Sequence, residues 1–173
     1  MHPVTFKSVP AYWKNNILVE LSAPAGHGGI VEDLAIHGTD VYAVGYTLET
    51  DGKNDVATYW KNGNAFKLSD GTTRSIISCI EVSGNDIYMA GIINGKTMVC
   101  WKNGEVIFTD LTTTQESTYP NDIYIFKGDV YIAGAIYVNN ADNKPIYWKN
   151  GKRHIFNNVE LNQGTGFGIA VLP

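Results

Sequence analysis

Residues 75–110 read SIISCIEVSGNDIYMAGIINGKTMVCWKNGEVIFTD, and this stretch holds one complete structural unit. It divides into four short runs rich in β-branched and aromatic residues, at about 75–82, 86–92, 97–101 and 105–110. Between them stand Gly84-Asn85, Asn94-Gly95 and Asn103-Gly104. Gly in first place suits a type II′ turn and Asn-Gly suits type I′, so all three connections predict tight hairpins. Four strands joined by successive hairpins make an antiparallel meander. A helix is excluded because Gly sits in mid-segment and β-branched residues dominate.

The same scheme returns along the chain. A Tyr or Cys followed by Trp-Lys-Asn recurs with its tryptophan at Trp13, Trp60, Trp101 and Trp148, at spacings of 47, 41 and 47 residues (60−13, 101−60, 148−101). A second element, Asp-(Val/Ile)-Tyr-x-x-Gly, begins at Asp40, Asp86 and Asp129. A period of about 40–50 residues with four strands per repeat is that of a propeller blade. Turn residues recur at Gly38-Thr39 and Asn62-Gly63. Lys127-Gly128 moves the Gly one place, which predicts a different turn type, and Asn15-Asn16 stands where Asn-Gly is expected. In Asp-Val-Tyr-Ala-Val-Gly, Val41, Ala43 and Gly45 share one face and Tyr42 and Val44 the other. Both faces are apolar, so this strand is buried on both sides, with the small face a seat for a bulky ring from the next blade.

The expected fold is therefore an all-β propeller of about four four-stranded antiparallel blades, in a single domain over residues 1–173. Three blades are whole, at about 29–69, 74–111 and 117–159. The last is shared between residues 166–173 and 1–21, and its strand b is missing, a gap that Val4-Thr5-Phe6 fills imperfectly. The alternative is that two chains close a ring of about eight blades as a homodimer.

The repeat resembles that of a bacterial group of uncharacterised propeller-like proteins, with a strand pair like VYVAGY, then YWKNG, then an LTDG loop, here Leu68-Ser69-Asp70-Gly71. The resemblance covers nearly the whole chain. It implies a bacterial, secreted or envelope setting, and it brings no activity and no catalytic residues. The first residues show no basic and apolar signal-peptide pattern.

Composition limits the partners. The 173 residues include 18 Gly, 10 Tyr and 4 Trp, with 44% hydrophobic and 17% charged residues and a net charge of −4. That charge does not supply the basic face of a nucleic-acid binder. No apolar run has the length of a membrane-spanning helix. Cys79 and Cys100 have no metal spacing, and they fall on strands a and c of one blade, about 10 Å apart. Both are expected to be free, buried thiols. His2, His27, His37 and His154 form no ligand pair. No cofactor or metal is expected.

The repeated residues read as structure. The tryptophans pack seams, the lysines (Lys14, Lys61, Lys102, Lys149) are solvated turn residues, and the three repeated aspartates accept backbone N–H groups in their turns. The d–a and b–c connections are longer and differ between blades, so one end carries irregular loops and is the seat of recognition. His27, Arg74, Tyr119 and Phe167 are the candidate ligand-binding residues at that end. The expected function is a non-catalytic module binding a glycan or protein partner. One alternative is a hydrolase or lyase with carboxylates converging in a channel. The other is a scaffold segment without its own ligand.

Overall fold

A computed structural model describes residues 8–23, 28–48, 54–111, 113–138, 142–156 and 164–172. The described residues form four antiparallel sheets and no helix. The first is a hairpin of β1 (Ala11–Lys14) and β2 (Ile17–Glu20). The second is the meander β3 (Gly29–His37), β4 (Asp40–Leu48), β5 (Asp55–Lys61) and β6 (Asn64–Lys67). The third is β7 (Ile76–Ser83), β8 (Asp86–Ile93), β9 (Thr97–Lys102) and β10 (Glu105–Thr109). The fourth is β11 (Glu116–Phe126), β12 (Asp129–Val138), β13 (Asp142–Lys149) and β14 (Lys152–Ile155). Val4-Thr5-Phe6 and His27 lie outside the described residues.

Turn chemistry sets these hairpins. Asn62, Asn94, Asn103 and Asn150 each take positive φ before a Gly that does the same. Asn15 and Asn16 do so together, at φ 49° and 62°. Lys127 (φ 52°) precedes Gly128 (φ 85°), whereas Gly84 alone is left-handed in its turn, so the turn at Lys127 does differ in type.

The two repeated motifs meet at the end of each four-stranded sheet. Asn62 donates its side-chain amide to Asp40 (2.8 Å) and accepts the Val41 N–H (2.9 Å). Lys61 pairs with Asp40 at 2.9 Å, and its ammonium lies over the Tyr42 ring. Lys102, Asn103, Asp86 and Tyr88 repeat this clamp, and so do Lys149, Asn150, Asp129 and Tyr131. The expectation for Asp and Lys is thus corrected. The aspartates take a side-chain amide and an ammonium, the Asn oxygen takes the backbone N–H, and these three lysines are ion-paired.

The glycine that closes the second motif also has a different role from the one expected. A Cβ on Gly45, Gly91 or Gly134 would collide with the carbonyl of Ile30, Ile76 or Tyr119 on the adjacent strand of the same sheet. Each of those strands bulges beside the contact, between Val31 and Asp33, Ile77 and Cys79, and Pro120 and Asp122. The glycine clears its own sheet's bulge and is not chiefly a seat for a neighbour's ring.

Sheets join side by side through repeated contacts. An N–H at or near the start of each first strand donates to a carbonyl at the start of the preceding unit's third strand. The pairs are Gly29 to Ser8 (2.9 Å), Ser75 to Asp55 (2.8 Å), Thr118 to Lys96 (2.7 Å) and Gly164 to Asn143 (3.0 Å). Ser8 through Glu20 therefore stand as third and fourth strands of a unit before β3. Residues 164–172 occupy the place of a first strand after β14. Asp33 accepts the Ile80 N–H (3.0 Å), and Asp122 accepts the Ile169 N–H (2.8 Å), tying consecutive first strands. The Trp60 indole donates to the Ser22 carbonyl and Trp148 to the Asp110 carboxylate, each just past the fourth strand of the preceding unit.

The core lies in these seams. One cluster holds Tyr42, Val44, Ile77, Ile80, Met89 and Trp101, and another holds Tyr88, Met98, Ile123, Ile132 and Trp148. Cys79 and Cys100 are free and buried as expected, each paired in register with Ala90 between them. Burial pushes the Cys79 thiol up, and the Cys100 thiol up to about 12.

Two measurements test these contacts. Gly91→Ala should destabilise by about 1–3 kcal/mol in urea unfolding, because the new methyl meets a fixed carbonyl. At a strand position with free space the same change would be stabilising by about 0.5–1 kcal/mol, so the sign decides. The second concerns pH. Hydrogen bonds and ion pairs hold Asp40 (Asn62, then Lys61), Asp86 (Lys102, then Asn103) and Asp129 (Lys149, then Asn150) below their ordinary value of 3.8. A depressed carboxylate contributes stability that is complete above its unfolded pKa and is lost as pH falls through the folded one. Melting temperature should hold steady down to about pH 5 and drop below about pH 4. Replacing all three aspartates by Asn should make that acid limb shallower, and an unchanged limb would refute the clamp as its source.

Candidate functional site

The starts of the first strands and the connections between second and third strands lie at one end of the sheets, as the seam hydrogen bonds require. The opposite end carries the clamps. The irregular end is where the described candidate residues fall.

Arg74 precedes β7. Its Nε donates to Asp55 Oδ2 at 2.8 Å, with the Arg side chain 49% and the Asp side chain 18% exposed. Tyr46 of β4 lies in the field of Asp55, Glu32 and Arg74, and burial first, then Asp55, pushes its hydroxyl pKa up. The Arg74 carbonyl accepts the Gly95 N–H (2.8 Å), and the Gly95 carbonyl accepts the Tyr119 hydroxyl (3.1 Å). Arg74 and Tyr119 thus flank one turn, Asn94-Gly95. The Tyr119 ring meets Tyr137 edge-on, centroids 5.4 Å apart. Thr73 adds a hydroxyl that donates to Asn94 Oδ1 (2.9 Å).

Phe167 is not part of this group. It sits one seam further on, 79% exposed, next to Gly166, whose carbonyl accepts the Asn121 amide. Reading the chain alone missed Asp55, Tyr46 and Tyr137. Tyr46 and Tyr137 stand on second strands past the motif glycine, and Asp55 opens a third strand. Only the seam register shows that these positions approach Arg74 and Tyr119.

Carboxylates also gather on consecutive first strands. Asp33 accepts the N–H groups of Leu34 and Ile80, and Asp122 those of Ile123 and Ile169. Glu81 stands between them on β7, and burial, then Asp122 and Asp33, raises its pKa. Oxygens committed to backbone donors are poorly placed to exchange protons with a substrate. Among the described residues no three His, Cys, Asp or Glu side chains group as a metal site. His154 stacks on Tyr147, with centroids 4.6 Å apart.

A separate concavity lies at the head of the array. A cavity of about 340 Å³ is lined by Tyr12, Trp13, Lys14, Leu34, Ile36 and Val41. A second, adjoining the same tryptophan, reaches Glu32 and Asp33. Trp13 is 70% exposed, whereas its three counterparts are buried.

No family model matches the chain, and no curated protein matches it. Among solved structures it is similar to a fucose lectin from Kordia zhangzhouensis, determined in complex with methyl-fucoside. The match has a TM-score of 0.51 at 15% identity and covers 73% of this chain and 98% of that one. At that identity the likeness shows a shared all-β fold.

Proposed function

We propose that the chain is a non-catalytic, propeller-type module that binds a glycan at its irregular end. The observation that carries this reading is the Arg74–Asp55 pair beside Tyr46, with Tyr119 across the Asn94-Gly95 turn. A guanidinium and a carboxylate held together offer donors and acceptors matched to neighbouring sugar hydroxyls. Aromatic rings beside them offer apolar faces for sugar C–H groups. The fold shared with a fucose lectin supports the same reading, and fucosides are the first ligands to try. The same seam contact at Gly29, Ser75, Thr118 and Gly164 supports a repeating, propeller-type array of blades. The resemblance of the repeat to bacterial propeller-like proteins supports an extracellular or envelope setting.

A glycan array that includes fucosides, followed by titration calorimetry, tests the site. Arg74→Ala and Tyr119→Ala should each weaken binding about tenfold or more, since each removes a charged or aromatic contact. Phe167→Ala should leave affinity within about twofold, because among the described residues no hydrogen bond or ring contact joins Phe167 to the other two. Binding that survives both of the first changes in a protein of unaltered melting temperature would rule out this end.

A further inference from the structure

Among the described residues, the head of the array shows two strands of a four-stranded unit. In the three complete units the second strand pairs with the third in one register. Tyr42 faces Lys61 and Ala43 faces Trp60. Tyr88 faces Lys102 and Met89 faces Trp101, and Tyr131 faces Lys149 and Ile132 faces Trp148. β1 begins the matching third-strand motif, Tyr12-Trp13-Lys14-Asn15, and among the described residues it pairs with β2 alone.

Three features of the head are unmet, and the complete units show what meets each. The first is the edge of β1 that pairs with no other described strand. The second is Lys14, which has no carboxylate among the described residues, whereas Lys61, Lys102 and Lys149 each hold the motif aspartate. The third is the apolar floor. Tyr42 packs in one cluster with Ile77, Ile80 and Val82, and Ile80 is 5% exposed there. Counted from the bulge, Leu34 and Ile36 of β3 correspond to Ile80 and Val82 of β7. They are 41% and 73% exposed and line the cavity beside Trp13.

We infer that this edge and cavity form a docking site for a β-strand of the form Asp-(Val/Ile)-Tyr-x-x-Gly, supplied from outside residues 1–173. Antiparallel to β1, its Tyr would face Lys14 and cover Leu34 and Ile36, the next residue would face Trp13, and its Asp would pair with Lys14. Main-chain bonds to this edge supply affinity, and the Asp–Lys pair and the Tyr seat supply selectivity. Residues 1–7 contain neither Asp nor Tyr and so lack this motif. The three copies in this chain are central strands of complete sheets, so a second copy has none to lend without unfolding. The site is distinct from the irregular end, and its occupation does not depend on glycan binding there.

The test uses a synthetic peptide of residues 127–136, Lys-Gly-Asp-Val-Tyr-Ile-Ala-Gly-Ala-Ile, added to the full 173-residue chain. Trp13 is the exposed tryptophan and the peptide has none, so acrylamide quenching excited at the indole edge reports on the site. The peptide should shield Trp13 saturably. Its Asp129→Lys version should bind roughly fivefold more weakly, and Lys14→Glu in the protein should reverse that order. Lys14 is exposed on a hairpin, and an unchanged melting temperature confirms that the variant folds. Three results would overturn the inference: no shielding at millimolar peptide, equal binding of both peptides, or a Trp13 already shielded before peptide is added. In the last case, shielding that grows with protein concentration would point to a second copy as the cover.

Discussion

The second strand of each four-stranded unit is buried on both faces, and the way the units assemble follows from that. Ala43, Val44, Met89, Ala90, Ile132 and Ala133 are all nearly inaccessible to solvent. A sheet whose middle is apolar on both sides cannot stand alone in water, because one face would remain exposed. Each unit therefore needs a neighbour. The seam hydrogen bonds at Gly29, Ser75, Thr118 and Gly164 fix how the neighbour is placed. Trp60 and Trp148 then reach across to the preceding unit's last strand, where Ser22 or Asp110 receives the indole N–H.

That arrangement divides the labour between the two ends. At the clamp end the repeated charges are answered locally by Asp, Lys and Asn beside tight turns, so little is left over for a ligand. The irregular end keeps only the backbone seam bonds in common between units. Its side chains are free to vary, and two neighbouring seams bring Arg74, with its partner Asp55, and Tyr119 to a single turn. A repeated fold can carry one specific site in this way, because the clamp holds the scaffold while the loops diverge.

Much of the fold can be read from the chain. The four runs in 75–110 correspond to β7–β10 within a residue or so at each end, because Asn-Gly and Gly-Asn dictate where a hairpin turns. The two free thiols followed from strand spacing. The roles of Asp86 and Gly91 did not. An aspartate beside a turn has several donors in reach, and only the register with Lys102 and Asn103 chooses among them. A glycine on a strand has several reasons to be small, and the bulge beside Ile76 is visible only once β7 and β8 are paired. Phe167 was grouped with Arg74 and Tyr119 by its loop, and it lies at the next seam.

The unit itself was written in the residues: four strands, their turns and their approximate limits rest on backbone preferences and alternation that a few neighbouring positions set. So was the mismatch between four Trp-Lys-Asn motifs and three Asp-(Val/Ile)-Tyr-x-x-Gly motifs. What joins one strand or one unit to the next came from tertiary structure alone. Which group each aspartate binds, why the motif glycine must be small, and why Trp13 is exposed while Trp60, Trp101 and Trp148 are buried depend on contacts between residues about 15–50 positions apart. Those contacts are fixed by pairing within a sheet and by the packing of one sheet against the next, which no single run of residues encodes.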